Sequence, residues 1–215
     1  MNVEDRYGIT PLHLACQVGN VDGVQVLLTT KHMTIKLDAK DGNGDTPLHE
    51  ACFHGKEKIT NMLLNKMDEA NKQELVVKEN DLGLTPFHLA CREGHLNIAK
   101  DLLRYSTTDS KLNLVTVIDN EGVTPLHLAC QSGNGEIARV LLEHKANIFA
   151  RTSYGVTPVH VAAQYGCTEV MGVLIHHSKV SPKVLVNVTD NFNQTPLHFA
   201  AENGKHEMLK LLLEK

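Results

Sequence analysis

The chain has 215 residues, 42% hydrophobic and 21% charged, with a formal net charge of −4. This is the balance of a soluble globular protein with material for one or two ordinary domains. The net acidity leaves no basic stripe to neutralise phosphates, which excludes nucleic acid as the expected partner. No apolar run approaches the ~18–20 residues of a membrane span, and the acidic start MNVEDRYG lacks the basic and then apolar order of a signal peptide, so no membrane insertion is expected.

The first elements are predicted around Thr10. Upstream, DRYGIT reads as a tight turn in which Gly8 supplies a positive φ. Threonine is a good N-cap and proline suits the first helical position, where its missing N–H costs nothing, so Thr10 and Pro11 open a helix. About two turns later Gly19 can take the left-handed conformation that ends it. A second helix follows, with Val21, Val24, Val26, Leu27 and Leu28 forming a broad apolar face.

The same order then recurs at Thr46, Thr85, Thr124, Thr157 and Thr195. The motifs read TPLHLAC, TPLHEAC, TPFHLAC, TPLHLAC, TPVHVAA and TPLHFAA. A glycine closes each first helix (Gly19, Gly55, Gly94, Gly133, Gly166, Gly204), and an aliphatic pair closes each second one, from Leu27 and Leu28 to Leu212 and Leu213. Turns precede the later threonines as DGNGDT, DLGLT, DNEGVT, SYGVT and DNFNQT. Asn193 replaces the turn glycine in the last and is the next residue to tolerate positive φ. Two short helices cannot bury enough apolar surface alone, so the units are expected to stack into one continuous core.

On these motifs the chain resembles ankyrin-repeat proteins. The resemblance implies an all-α solenoid of helix-turn-helix units joined by β-hairpin-like turns, with 1–215 as a single domain. Six repeats are expected, at about 5–37, 41–76, 80–115, 119–149, 152–186 and 190–215. Three features depart from the family pattern: cysteine at the second alanine in four copies, Thr152 in place of a turn aspartate, and links longer than usual. Those links (residues 29–40, 65–80, 104–119 and 176–190) start polar and turn apolar, as in Leu112, Leu114, Val115, Val117 and Ile118. A helix extended by a turn and then a short strand-like return would suit that order. The aliphatic end, with no polar cap, suggests a segment of a longer array.

A histidine three residues before a cysteine raises the question of a metal or nucleophile site. His13, His49, His88, His127, His160 and His198 fall at the third helical position, which in a capping box reaches back to the N-cap. The resemblance implies the same structural role, tying each turn to the adjacent repeat. A metal would need further ligands converging on one ion, whereas stacked units about 10 Å apart keep successive His and Cys pairs separate. A metal- or redox-responsive domain is therefore the rival, not the expected, reading, and no cofactor or metal is expected. DGNGDT lacks the third glycine and preceding strand of a phosphate loop, and QSGNGE lacks the nucleophile elbow. No catalytic set emerges, so an enzyme is not expected. Four of the five cysteines share one motif position, unlike a disulfide framework, which suggests reduced thiols in the cytoplasm or nucleus.

Function should then lie in the residues that vary at fixed offsets. In ankyrin-repeat proteins the turn tips and exposed side of the first helix line a concave partner-binding face. Carried onto this chain, the candidates are Tyr7, Ile9, Phe53, Leu82, Leu84, Arg92, Val123, Gln131, Tyr154, Val156, Tyr165 and Phe192. Five of the nine Phe and Tyr residues fall on this face, and the chain has no Trp. Exposed aromatics on a rigid face anchor interfaces, although the same rings can instead pack turn on turn. The expected function is a non-catalytic protein-protein interaction scaffold or adaptor for a protein or peptide partner. The cytoplasmic array of a membrane channel is a further alternative.

Overall fold

The computed structural model describes residues 3–30, 35–106, 113–179 and 181–215. Among these residues every regular element is an α-helix. They fall into two compact units, Met1–Leu114 and Val115–Lys215.

In the first unit, α1 (Pro11–Val18) and α2 (Val21–Thr29) form one packed pair, α3 (Pro47–Phe53) and α4 (Glu57–Asn65) the next. A short helix α5 (Glu69–Val76) precedes the third pair, α6 (Pro86–Arg92) and α7 (Leu96–Leu103). First helices pack on first helices, α1 on α3 on α6, and second helices on second, α2 on α4 on α7. The second unit repeats the plan with α8 (Pro125–Ser132), α9 (Gly135–Glu143), α10 (Pro158–Tyr165) and α11 (Thr168–His177), then α12 (Pro182–Val186), α13 (Pro196–Glu202) and α14 (His206–Leu213). Here α10 lies between α8 and α13, and α11 between α9 and α14.

The core follows from the motif. In the first unit the leucine or phenylalanine after proline (Leu12, Leu48, Phe87), the cysteines Cys16, Cys52 and Cys91, and Leu63 and Leu102 of the second helices are all buried. In the second unit Leu126, Val159, Cys130, Leu141 and Leu174 do the same. Each first helix begins at Thr-Pro, and Gly19, Gly133 and Gly166 end theirs at φ 82°, 73° and 74°. Asn193 takes φ 60° in the turn before Thr195.

Within each unit, neighbouring turn tips are stitched by one backbone hydrogen bond each. Gly42 N–H donates to the Tyr7 carbonyl at 2.7 Å and Asp81 N–H to that of Asn43 at 3.0 Å. In the second unit Ser153 donates to Glu121 at 2.8 Å and Asn191 to Tyr154 at 3.0 Å. Within a tip, the side chain five residues before the threonine accepts two backbone N–H groups. Asp41 Oδ1 takes those of Asn43 and Asp45, both at 2.9 Å. Asp190 takes those of Phe192 and Gln194, both at 2.8 Å. In the third turn this role belongs to Asn80, which accepts from Leu82 at 3.0 Å and Leu84 at 2.9 Å, and not to the aspartate that opens DLGLT. Thr152 Oγ1 accepts from Val156 alone, at 3.2 Å.

The links correct one expectation: no strand-like return forms among the described residues. In the second link, α5 is capped by Asp68, which accepts from Asn71 N–H, and it buries Leu75 and Val76. In the last, Pro182 opens α12, which buries Leu185 and Val186. Helical turns satisfy their own backbone, whereas a lone strand would leave its polar groups without a ladder. In the third link Leu114 and Val115 are buried within a turn at 114–116, and Ile118 is exposed. Leu112 and residues 31–34, 107–111 and 180 of these links lie outside the described residues.

Candidate partner-binding face

The motif histidines share one geometry. The backbone N–H of Thr10 donates to His13 Nδ1 at 3.2 Å, and the Thr10 hydroxyl sits 2.8 Å from the same nitrogen. Equivalent pairs join Thr46 to His49, Thr85 to His88, Thr124 to His127, Thr157 to His160 and Thr195 to His198. On the far side of the ring, Nε2 meets a carbonyl in the following turn: His13 to Asp45 at 2.9 Å and His49 to Leu84 at 3.0 Å in the first unit. In the second unit His127 meets Val156 at 3.1 Å and His160 meets Gln194 at 3.0 Å. A backbone N–H only donates and a carbonyl only accepts, so in each of these four rings Nδ1 accepts and Nε2 donates. Burial accordingly lowers His49 and His127 to about 4, and lowers His160. Both nitrogens are thus engaged in holding one turn to the next.

The motif thiols are equally occupied by packing. Cys16, Cys52, Cys91 and Cys130 are buried and all five cysteines are free. Burial pushes Cys16 up to about 12 and raises the other three well above the ordinary thiol range. Among the described residues, the grouping of three potential metal-ligating side chains is Asp41, Asp45 and Glu50, which includes neither a motif histidine nor a cysteine.

The candidate partner residues divide by position. In the first unit a groove of about 520 Å³ opens beside the turn tips and first helices and gathers Phe53, Leu82, Leu84 and Arg92. Leu82 is 64% exposed and Phe53 37%. Leu84, at 5% exposure, has its side chain largely withdrawn from solvent, and its carbonyl receives His49. The Arg92 guanidinium lies 5.4 Å from the Phe53 ring centroid and its Nε donates to Glu93 at 2.9 Å. Tyr7 and Ile9 do not line this groove; Tyr7 is exposed with Arg6 4.6 Å over its ring, and Ile9 is half-buried.

In the second unit a smaller depression of about 190 Å³ brings together Val123, Gln131, Tyr154, Val156 and Tyr165. Gln131 Nε2 donates to the Tyr165 hydroxyl at 3.1 Å. Tyr154 is 58% exposed; Phe192 is 70% exposed and does not line the depression, being one tip further on.

One residue on this face was not among the sequence candidates. Glu50 stands four residues after Thr46, where the other repeats carry Leu14, Leu89, Leu128, Val161 and Phe199. The lone charged residue among aliphatic and aromatic ones is the sequence signal that marks it. Its carboxylate lines the groove with Asp45, and burial, then Asp45 and Asp41, push it up to about 7. His54 Nε2 lies 3.4 Å from Glu50. The distance is that of an ion pair, yet burial also lowers His54, so around neutral pH the contact is weaker than one between two full charges. Asp45 is raised as well, chiefly by burial, against the hydrogen bond that Asn80 Nδ2 donates to its Oδ1 at 2.8 Å.

A family model described as ankyrin repeats matches the chain in three copies, over residues 1–75, 71–152 and 144–215. The chain belongs to the ankyrin-repeat family. Ankyrin repeats generally act as protein-protein interaction modules and are typically non-catalytic. No curated protein matches the chain closely enough to count as a relative. No helix among the described residues is long and apolar enough to cross a membrane.

Proposed function

We propose that this ankyrin-repeat chain is a non-catalytic scaffold or adaptor that grips a protein or peptide partner with its turn tips and the outer side of its first helices. The observation that carries the reading is the placement of exposed aromatic rings. Tyr7 and Phe53 in the first unit and Tyr154, Tyr165 and Phe192 in the second belong to turn tips or first helices and are exposed, in a chain with nine Phe and Tyr in total. Burying such rings is costly to forgo and cheap in entropy, which makes them typical anchors of an interface. The motif histidines and cysteines belong to the framework, and the six repeats are bounded as the motifs suggest. A net charge of −4 argues against nucleic acid as the partner, and five free thiols suit a reducing cytoplasm or nucleus.

The test is a double substitution, Tyr154→Ala with Phe192→Ala, measured against a partner captured on the wild-type chain. Affinity is expected to fall by about 2 kcal/mol or more, the loss of hot-spot residues, while the melting temperature holds. Unchanged affinity with a lowered melting temperature would show that the rings only pack turn on turn, and the reading would be withdrawn.

A further inference from the structure

The groove of the first unit combines two features that select the same kind of side chain. Its walls include Phe53, Leu82, Leu84 and Leu89, and its ionisable lining includes Asp45, Glu50 and Asp81 against Arg92 and His54, whose Nε2 lies 3.4 Å from Glu50. Arg92 is already paired with Glu93 at 2.9 Å. A long aliphatic stem carrying a positive head matches such a slot, because the stem covers apolar wall while the head meets carboxylates.

Resting on the partner-binding reading above, we propose that this groove receives a lysine or arginine side chain of the partner peptide, with Glu50 and Asp45 as its acidic end.

Glu50 is the residue that makes the groove unlike the rest of the array. The other five motifs place an aliphatic or aromatic residue at its position, so a carboxylate there is not required by the stacking of helices. Its side chain is only 18% exposed, a costly position for a charge that a cation would offset. Departures from a local rule that the fold does not need are where function is expected. Burial and neighbouring carboxylates raise the pKa of Glu50 and Asp45, as expected where positive charge is scarce, and an incoming cation would favour their ionised forms.

The experiment selects peptides from a random twelve-residue display library on the full 215-residue chain, then measures synthetic winners by calorimetry on wild type and on Glu50→Leu. Leucine restores the residue found at this position in three other repeats, so the variant should melt at or above the wild-type temperature. Selected peptides are expected to share a lysine or arginine at one position. Replacing it by glutamine should weaken binding to wild type at least tenfold, Glu50→Leu should weaken the parent peptide to a similar degree, and the two changes together should cost little more than either. Phe53→Ala, Leu82→Ala and Tyr154→Ala are measured alongside. If they weaken binding but the charge changes do not, the face binds peptide and the cationic pocket is refuted. If winners ignore Phe53, Leu82 and Tyr154 alike, the partner-binding face itself is wrong. A selection with no shared basic position, or with no binders, overturns the proposal. So does stoichiometric binding of Ca²⁺ or Zn²⁺ alone that Glu50→Leu abolishes, since the carboxylates would then serve a metal.

Discussion

His127 Nε2 donates to the carbonyl of Val156, twenty-nine residues away, at 3.1 Å, while Nδ1 of the same ring accepts the backbone N–H of Thr124 at 3.1 Å. One imidazole thus ties its own helix start to the turn of the following repeat. His127→Ala should destabilise the protein by about 1–3 kcal/mol, because a buried backbone N–H and a part-buried carbonyl lose their partners at once. Urea denaturation measures this. His198 has the same motif position but is exposed, and His198→Ala should cost markedly less; equal losses would undo the argument from burial.

Acidification should weaken the fold. Burial holds His49 and His127 near 4 and lowers His160, whereas an unfolded histidine titrates near 6.5. Between those values the unfolded state binds more protons, so stability falls as pH drops from about 6.5 toward 4, on the order of 2–3 kcal/mol for each of His49 and His127. Glu50 acts in the opposite sense. Its folded value near 7 lies above the unfolded one near 4.3, so between them the folded state binds more protons and gains stability as pH falls. Two or three histidines outweigh one glutamate, and Glu50→Leu should steepen the acid loss. Chemical denaturation at pH 7.5, 6 and 5 tests the sign: a stability flat over that range, or rising toward acid, contradicts it.

Thiol labelling should proceed in two stages. Cys167 is half-buried, and burial raises its pKa while the nearby Lys205 opposes the rise. It should react first with a maleimide in the native protein, with Cys16, Cys52, Cys91 and Cys130 protected until unfolding. Mass spectrometry of short labelling times reads the order. Early modification of several motif cysteines would show that the core opens locally.

Asn80 offers a test in which the residue common to other turns should be the worse choice. Its side chain accepts from Leu82 and Leu84 as the turn aspartates do, and its amide also donates to Asp45 Oδ1 at 2.8 Å. Asn80→Asp keeps the acceptor but sets two carboxyl groups against each other in a buried turn. A loss of about 1–2 kcal/mol is expected, with Asp45→Asn restoring most of it. No loss, or no rescue, would mean that the contact carries no weight.

The repeating Thr-Pro-x-His motif was by itself sufficient for the helix starts, the glycine stops and the all-α stack, because capping and apolar periodicity act within a few residues. What the chain alone did not determine were relationships across repeats. The long links read as strand-like from their apolar ends, yet α5 and α12 are helices, since burying Leu75 with Val76 or Leu185 with Val186 requires only a turn that satisfies its own backbone. Leu84 occupies the same offset as Ile9 and Val156, but packing buries it more deeply. The groove exists only because α3, α6 and two turn tips come together around Glu50, and its charge balance is set by residues 47 positions apart, from Asp45 to Arg92. Local sequence determines where helices begin and end; which side chains share a desolvated space is settled by the stacking of one repeat on the next.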